Sequence, residues 1–176
     1  MAIDEAKTFT PINIAVLTVS DTRTEADDTS GDILAARVTS AGHALASRKI
    51  IKDDAELLAQ QFDAWIDNPE IDAIVSTGGT GLTGRDVTPE ALSRIEGGRD
   101  VPGFGELFRW LSYKTIGTST VQSRACAVVA RGTYIFALPG SNGAVKDGWD
   151  GILAEQLDNR NRPCNFVELM PRLREK

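Results

Sequence analysis

The sequence predicts an α/β fold, a three-layer sandwich in which helices cover both faces of a mostly parallel sheet with an antiparallel edge. Residues 12–19 are almost entirely apolar and rich in β-branched side chains, which is typical of a strand buried on both faces. Such runs alternate with stretches of helical periodicity, as expected where helices join parallel strands. A gap of three residues, 131–133, separates the last two runs and predicts a hairpin at one edge.

The first half of the chain supplies two strands and two helices. After the strand at 12–19, a polar loop leads into a helix with Ser30 as its N-cap and its end near Gly42. Residues 44–51 form the second strand. The apolar side chains of 53–66 recur at helical spacing, so this segment is predicted to be an amphipathic helix.

The second half begins with a third strand at 71–75, which runs directly into a glycine-rich loop. Pro89 suits the first position of a short helix, with Thr88 as its cap. A longer amphipathic helix covers 104–116. The remaining predicted elements are strands at 125–130 and 134–138, a long helix at 142–157 and an extended tail at 162–169.

Length and composition indicate one intracellular domain. A chain of 176 residues suits a single core, and we expect an N-terminal arm at 1–11, a domain at 12–170 and a tail at 171–176. The net charge of −6, without a basic run, argues against a nucleic-acid partner. No apolar stretch is long enough for a membrane span, and residues 1–11 lack the apolar segment of a signal peptide. The two cysteines lack a Cys-x-x-Cys spacing. These features favour a cytoplasmic protein.

Ligands of open α/β sheets bind beyond the carboxyl ends of the strands. Four polar segments fall at such positions in this sequence. They are Ser20, Asp21 and Thr22 after the first strand, Asp53 after the second, the loop 78–86 after the third, and Pro139, Gly140 and Ser141 before the last long helix.

The loop after the third strand carries four glycines within seven residues, Gly78, Gly79, Gly81 and Gly84. Glycine lets backbone N–H groups approach a phosphate, so the loop is a candidate anion cradle. The alternative is a tight strand-to-helix turn. The loop formally matches a dinucleotide fingerprint, but it follows the third strand and no helix starts at once. The absence of Gly-Lys-Ser/Thr excludes a P-loop.

Asp53 and Asp86 are the candidate catalytic and metal-binding carboxylates. Together they would supply hard oxygen ligands for Mg²⁺ held against phosphate oxygens. Each also has a purely structural explanation. Asp53 has the spacing of a helix capping box, and Asp86 could merely complement the dipole of the helix that follows.

Other polar and aromatic residues point less clearly to a site. His43, the single histidine, lies at a helix-to-strand turn and suits a structural role. Arg124 precedes a strand in a polar stretch and suits either loop capping or anion contact. Trp65, Trp110 and Trp149 lie on amphipathic helices, which predicts core or interface positions.

Eight segments together resemble the molybdopterin-binding family of molybdenum cofactor biosynthesis. The glycine-loop block, TGGTGLTGRDVTPEA at 77–91, is the most specific of them, and the resemblance covers about 12–167. Two segments, FRWLS at 108–112 and RPCNF at 162–166, are most similar to the family's protein B branch. The other segments are TVSDT at 18–22, DTSG at 28–31, PGFGE at 102–106, GTST at 117–120 and LPGS at 138–141.

The resemblance implies a pocket for molybdopterin, a pterin that carries a dithiolene and a phosphate. In active members it also implies Mg²⁺- and ATP-dependent adenylylation of that phosphate, with pyrophosphate release, and assembly into homotrimers or hexamers. Asp53 and Asp86 would be the functional carboxylates. The pocket would be lined by Ser20, Asp21 and Thr22, by Gly78, Gly79, Thr80 and Gly81, and by Pro139, Gly140 and Ser141.

The adenylyltransferase branch usually has proline before the first functional aspartate, whereas this chain has Lys52 before Asp53. Two alternatives to an adenylyltransferase stay open. One is a protein of the same pathway that binds molybdopterin or its precursor without catalysis, which would have no need of Mg·ATP. The other, by analogy of fold, is a pyrophosphatase acting on dinucleotides or nucleotide sugars.

Overall fold

A computed structural model of the protein describes residues 3–175 and contains one mixed sheet, confirming the predicted α/β sandwich. Within these residues the sheet has six strands in the order β2-β1-β3-β6-β5-β4. The strands are β1 (Asn13–Val19), β2 (Ala44–Ile51), β3 (Ala73–Thr77), β4 (Arg99–Asp100), β5 (Cys126–Ala130) and β6 (Thr133–Leu138).

Four neighbouring strands are parallel, and the remaining two make the antiparallel edge. β1 pairs in parallel with β2 and β3, and β3 pairs in parallel with β6. β6 and β5 form the predicted hairpin, with Val129 opposite Tyr134, and β5 pairs antiparallel with β4. The carboxyl ends of β1, β3 and β6 therefore lie side by side in the middle of the sheet.

Helices cover both faces of the sheet. The helices are α1 (Thr29–Ser40), α2 (Ala55–Ile66), α3 (Thr88–Leu92), α4 (Pro102–Ile116), α5 (Asn142–Gly148), α6 (Ala154–Gln156) and α7 (Phe166–Leu169). A π-helical turn, Trp149–Leu153, joins α5 to α6, so the predicted helix at 142–157 is one nearly continuous helical segment.

The core consists of two apolar layers, one on each face. Successive side chains of a strand point to opposite faces, so Ile14 and Val16 of β1 pack with α1, α4 and α5, whereas Ala15 and Leu17 pack with α2 and α3. All four side chains are fully buried. This double burial explains why the run at 12–19 lacks a polar alternation.

The structure corrects the two predicted helix caps, Ser30 and Thr88, and decides against Asp53 as a third. Asp28 caps α1 in place of Ser30, and its side chain accepts a hydrogen bond from Gly31 N at 3.0 Å. Asp54 caps α2 in place of Asp53, accepting from the amides of Glu56 and Leu57. Thr88 is the first residue of α3, and its hydroxyl donates to Gly78 O at 2.9 Å.

Other boundaries also differ from the predictions. The third strand covers Ala73–Thr77, two residues later than predicted, because β3 pairs with β1 up to Thr77. β4 has only two residues and was not predicted. The tail predicted to be extended, 162–169, contains α7, which Asn165 caps by accepting a hydrogen bond from Glu168 N at 2.9 Å. A 3₁₀ turn, Met170–Arg172, follows it.

The described part of the N-terminal arm packs along the segment that follows α6. Ile3 forms an isolated antiparallel bridge with Asn161, and Thr10 N donates to Asn159 Oδ1 at 2.8 Å. Residues 1 and 2 of the predicted arm and residue 176 of the predicted tail lie outside the described residues. Within 3–175, no helix combines the length and hydropathy needed to cross a bilayer.

Candidate functional site

Three loops meet where β1, β3 and β6 end. Thr77, the last residue of β3, donates its hydroxyl to Pro139 O at 3.1 Å, and Gly78 N donates to Leu138 O at 2.9 Å. On the other side, Ser20 N donates to Ile51 O at 2.9 Å, which fixes the start of the β1 loop against the end of β2. The parallel register therefore brings together the segments that the sequence placed at strand ends.

The glycine loop needs glycine at its first two positions. Gly78 and Gly79 have φ angles of +106° and +65°, in the left-handed region that disfavours other residues. A Cβ atom at Gly78 would also collide with Val19 O, and one at Gly79 with the Thr88 hydroxyl. Gly84 has no heavy atom within 4 Å of such a Cβ. The loop therefore lies tightly against β1 at its start and is open at its end.

A polar cleft of about 360 Å³ opens beside these loops. Its floor is backbone-rich, because Gly78 and Gly140 approach each other so closely that a Cβ at Gly140 would lie 3.2 Å from Gly78 Cα. Backbone groups with so little side-chain cover suit the close approach of a phosphate. The lining residues are Val19, Ser20, Arg23, Thr77, Gly78, Gly79, Thr80, Gly81, Asp86, Pro139 and Gly140.

A second cavity of about 270 Å³, the helix-walled cleft, adjoins the first and shares Thr80, Gly81 and Pro139 with it. Thr80 is 2% exposed, and its hydroxyl has no hydrogen-bond partner among the described residues. Buried hydroxyls are normally paired, so this one is available to a ligand. The other walls come from α4, from the 3₁₀ turn Gly117–Gln122 with the residue after it, and from α5 with its N-cap. Their lining residues are Phe108, Ser112, Thr115, Ile116, Thr120, Gln122, Ser123, Ser141, Gly143, Ala144 and Asp147.

Asp53 and Asp86 both approach the glycine loop. A Cβ at Gly79 would lie 3.3 Å from Asp53 Oδ1, and one at Gly81 would lie 2.7 Å from Asp86 Oδ2. Asp86 Oδ2 accepts hydrogen bonds from the amide and hydroxyl of Thr83, at 2.9 and 2.7 Å. Asp53 is not the cap of α2, because amides in the first turn of that helix donate their hydrogen bonds to Asp54.

The two carboxylates differ electrostatically. Burial raises the pKa of Asp53, the nearby Asp21 carboxylate raises it further, and Arg85 only partly offsets these effects. Burial also acts to raise the pKa of Asp86, but hydrogen bonds from Thr83, together with Arg124, hold it below its usual value. Asp86 is thus a stabilised anion, whereas Asp53 lacks comparable compensation for its charge.

The structure brings most of the predicted site residues together. Ser20, Gly78, Gly79, Thr80, Gly81, Pro139 and Gly140 line the polar cleft, and Ser141 lines the helix-walled cleft while capping α5. Asp21 lines neither cleft; it pairs with Arg85 and accepts a hydrogen bond from Asp53 N at 3.3 Å. Thr22 is exposed and lines neither cleft, and its amide donates to Ser20 Oγ.

Two arginines have roles that the sequence did not resolve. Arg124 supports the loop, because its guanidinium donates to Gly81 O and Asp86 O, each at 2.6 Å, and pairs with Glu90. Of its two proposed roles, the structural one is observed.

Arg23 lines the polar cleft and was not predicted to do so, although it directly follows the predicted Ser-Asp-Thr segment. The α4 wall of the helix-walled cleft was also missed.

Two carboxylates near the glycine loop, Asp53 and Asp86, bear on metal binding. Throughout the described residues, no group of three or more His, Cys, Asp or Glu side chains is placed to hold a metal ion. Mg²⁺ typically binds through one or two carboxylates together with substrate phosphates and water. Asp53 and Asp86 offer that donor type beside a cleft suited to phosphate.

Comparison with known proteins matches residues 15–159 to the family described as "Probable molybdopterin binding domain". Molybdenum cofactor biosynthesis protein B of Escherichia coli (strain K12) is 50% identical over 158 residues, which cover 90% of this chain and 92% of that protein.

Two solved structures are similar to this chain over nearly their whole length. A crystal structure of molybdenum cofactor biosynthesis protein B has a TM-score of 0.85 and 34% identity, covering 97% of this chain and all of that one. The tungsten cofactor synthesizing protein MoaB from Pyrococcus furiosus has a TM-score of 0.74 and 33% identity, covering 94% and 98%. The chain therefore belongs to the molybdopterin-binding-domain family that includes molybdenum cofactor biosynthesis protein B.

Proposed function

We propose that this protein acts in molybdenum cofactor biosynthesis as a molybdopterin adenylyltransferase. It would use ATP and Mg²⁺ to transfer an adenylyl group to the terminal phosphate of molybdopterin, releasing pyrophosphate. The observation that carries the proposal is that Asp53 and Asp86 both approach the glycine loop, with Asp86 lining the polar cleft. The family and its named relatives support the biosynthetic role.

The reaction requires positioning and charge compensation more than covalent help from the protein. An oxygen of the molybdopterin phosphate forms a bond to the α-phosphorus of ATP. The bond from that phosphorus to the bridging oxygen breaks, and pyrophosphate leaves with the electron pair. Both substrates are anionic, so the protein must hold several phosphates close together.

The residues of the two clefts suit complementary parts of these substrates. The polar cleft offers backbone groups of the glycine loop and of Gly140, which suit phosphates. The helix-walled cleft offers Phe108 and Ile116 beside the unpartnered Thr80 hydroxyl, which suits a heterocycle with hydrogen-bonding edges. Since the clefts share Thr80 and Gly81, one substrate could extend through both.

Asp53 and Asp86 would hold the Mg²⁺ ion, which when bound would offset phosphate charge. The raised pKa of Asp53 is consistent with this role, because a carboxylate destabilised by burial and by Asp21 gains most from a cation. Asp86 would remain ionised at neutral pH through its contacts with Thr83.

The test is pyrophosphate release from Mg·ATP by the purified protein, with and without molybdopterin. We expect release that depends on molybdopterin and is abolished by Asp86→Ala, while molybdopterin still binds. Asp86→Asn is the sharper variant, since it keeps an acceptor for Thr83 and removes only the charge. Loss of pterin binding with turnover intact would contradict the assigned role of Asp86.

A second candidate is a protein that binds molybdopterin without catalysis. Two observations favour it. Asp86 Oδ2 is already occupied by two hydrogen bonds from Thr83, and Lys52 precedes Asp53 where active members usually have proline. Tight pterin binding without pyrophosphate release or Mg·ATP affinity would select this candidate. Lys52→Pro would then be the first variant to assay for a gain of turnover.

We also propose that the protein is a homo-oligomer, a trimer or a hexamer. α4 carries an exposed apolar row at three-residue spacing, here called the α4 stripe: Leu107, Trp110, Tyr113 and Ile116. Such a row is costly to leave in water, and a second copy of the chain is the occupant that the family resemblance implies. Ile116 also lines the helix-walled cleft, so the stripe adjoins the site.

A further inference from the structure

Arg23 supplies the one cationic side chain among the residues that line the polar cleft in the described chain. Asp86 is the one carboxylate there, so the cleft has an anionic and a cationic lining residue. Phosphate is stabilised by charge-assisted hydrogen bonds, and a guanidinium is well suited to it because its N–H groups can bind two oxygens at once.

The Arg23 guanidinium is held from one side by the protein. Nη1 donates to Asp28 Oδ1 at 3.3 Å and to Ser30 Oγ, and Nη2 donates to Gly140 O at 3.0 Å. These contacts leave the Nε hydrogen and a second Nη2 hydrogen without an acceptor within residues 3–175. Since the side chain lines the cleft, those donors are available to a bound anion.

Asp28 explains why the guanidinium is fixed in place. Its side chain is completely buried, and it also receives hydrogen bonds from the Thr18 hydroxyl at 2.7 Å and from Arg48 Nη2 at 2.9 Å. Burial acts to raise the pKa of Asp28, but these hydrogen bonds and that of Gly31 N lower it below the ordinary value. Arg23 is therefore held by the buried Asp28 carboxylate, so little side-chain entropy remains to be lost on binding.

We propose that Arg23 binds a phosphate group of the substrate in the polar cleft and that Asp28 is its positioning residue. The inference rests on the proposed function for the identity of the substrates, ATP and molybdopterin, either of which could supply the phosphate. It concerns binding, however, and it can be tested without turnover.

The experiment measures binding of inorganic phosphate, without metal, by isothermal titration calorimetry of the full chain. We expect the wild type to bind with a millimolar dissociation constant and Arg23→Gln to bind at least about tenfold more weakly, the scale of one lost charge-assisted contact. Arg23→Lys should show a smaller loss, because it keeps the charge but not the two-pronged geometry.

Arg48→Gln is the matched control. Arg48 also contacts Asp28, but it does not line the polar cleft, so its loss should lower thermal stability and leave phosphate affinity within about twofold of the wild type. Failure of the wild type to bind phosphate, unchanged affinity in Arg23→Gln, or equal losses in both variants would overturn the proposal.

A titration with Mg·ATP distinguishes the source of the phosphate. If Arg23→Gln weakens the binding of inorganic phosphate but not of Mg·ATP, Arg23 contacts the metal-free phosphate of the pterin. If the substitution weakens the binding of both ligands, Arg23 also contacts the nucleotide. Either result supports the binding role. Absence of pyrophosphate release together with Arg23-dependent phosphate binding would refute the adenylyltransferase and leave this inference standing.

Discussion

Asp53 and Asp54 are adjacent carboxylates at the end of β2, and their contacts differ. Asp54 caps α2 through the amides of Glu56 and Leu57, whereas Asp53 approaches the glycine loop. We expect Asp54→Ala to cost about 1 kcal/mol of stability, the usual value of a lost N-cap, with turnover retained. Asp53→Ala should abolish turnover and change stability by less than about 0.5 kcal/mol.

Urea denaturation followed by circular dichroism, combined with the pyrophosphate assay, separates the two effects. The opposite pattern, in which Asp53→Ala destabilises the protein and Asp54→Ala removes activity, would contradict the assignment. This pair also removes an ambiguity of the sequence, in which Asp53 could have been either a cap or a ligand.

Gly78 and Gly84 provide a second matched pair. Gly78→Ala would place a Cβ against Val19 O at a φ of +106°, so we expect a loss of about 2 kcal/mol or more. Gly84→Ala meets no neighbouring atom and should change the free energy of unfolding by less than about 0.5 kcal/mol. Equal effects of the two substitutions in thermal or urea unfolding would show that the loop is not constrained as described.

At the residue scale, the sequence predicted the role of a residue only where that role depends on its neighbours along the chain. Gly78 and Gly79 were recognisable because a cluster of glycines marks special backbone geometry wherever it occurs. Arg23 was not recognisable, because its position depends on Asp28. In the sequence Asp28 is one of several acidic loop residues, and it becomes buried only when α1 packs on β1. Competition between adjacent caps, as at Asp53 and Asp54, is likewise settled by the fold.

His43 connects elements at the opposite end of β1 from the site. It lies between α1 and β2, is buried, and accepts a hydrogen bond from Ile12 N through Nδ1 at 3.3 Å. Its ring stacks at an angle on Phe9 of the N-terminal arm, with the centroids 5.2 Å apart. Burial lowers the pKa of His43, and the negative charge of Asp158 only partly offsets this effect.

The sign of the resulting pH dependence follows from linkage. A base whose pKa is lower in the folded state binds its proton more readily when the protein is unfolded. Its stabilising contribution to the free energy of unfolding is therefore fully present when the pH lies above the unfolded pKa of about 6.5. We expect the free energy of unfolding to decrease as the pH falls from about 7.5 through 6.5 and towards the lower folded pKa, by at most about 1.4 kcal/mol per pH unit.

Urea denaturation at a series of pH values measures this slope. His43→Gln keeps a hydrogen-bond acceptor but does not titrate, and His43 is the single histidine, so the variant should flatten the slope between about pH 7 and 5.5. A slope that persists in His43→Gln would assign the pH dependence to other groups.

At the scale of elements, long periodic segments were predicted well and short ones were not. The strand at 44–51 and the hairpin of β5 and β6 were correct because their patterns extend over five or more residues. β4 has two residues and no pattern to detect, and it exists because it pairs with Val128 and Val129 of β5. α7 was missed because four residues, capped by Asn165, carry too little periodicity.

At the scale of the whole molecule, the layer order followed from the alternation of elements, and the polar cleft followed from the parallel sheet. The helix-walled cleft could not be predicted. Ser112, Thr115 and Ile116 of α4 are among its walls. They line it only because α4 packs next to α5 on the same face of the sheet. Sequence patterns place helices on faces but do not fix how neighbouring helices meet.

The α4 stripe yields the prediction for the assembly. Trp110 and Tyr113 are each 57% exposed, and Lys114 Nζ lies 3.6 Å from the Trp110 ring centroid. If a second copy covers this face, light scattering should give three or six times the 19.0 kDa mass of the chain. Trp110→Glu would place a charge in the buried centre of the contact and should shift the mass towards that of one chain.

Leu57→Glu is the matched control, because Leu57 is an exposed apolar residue of α2, on the opposite face of the sheet. It should leave the mass unchanged. A wild-type mass of one chain, or equal dissociation by both substitutions, would contradict the assignment of the stripe. Because Ile116 belongs to both the stripe and the helix-walled cleft, dissociation by Trp110→Glu should also weaken molybdopterin binding, whereas Leu57→Glu should leave it intact.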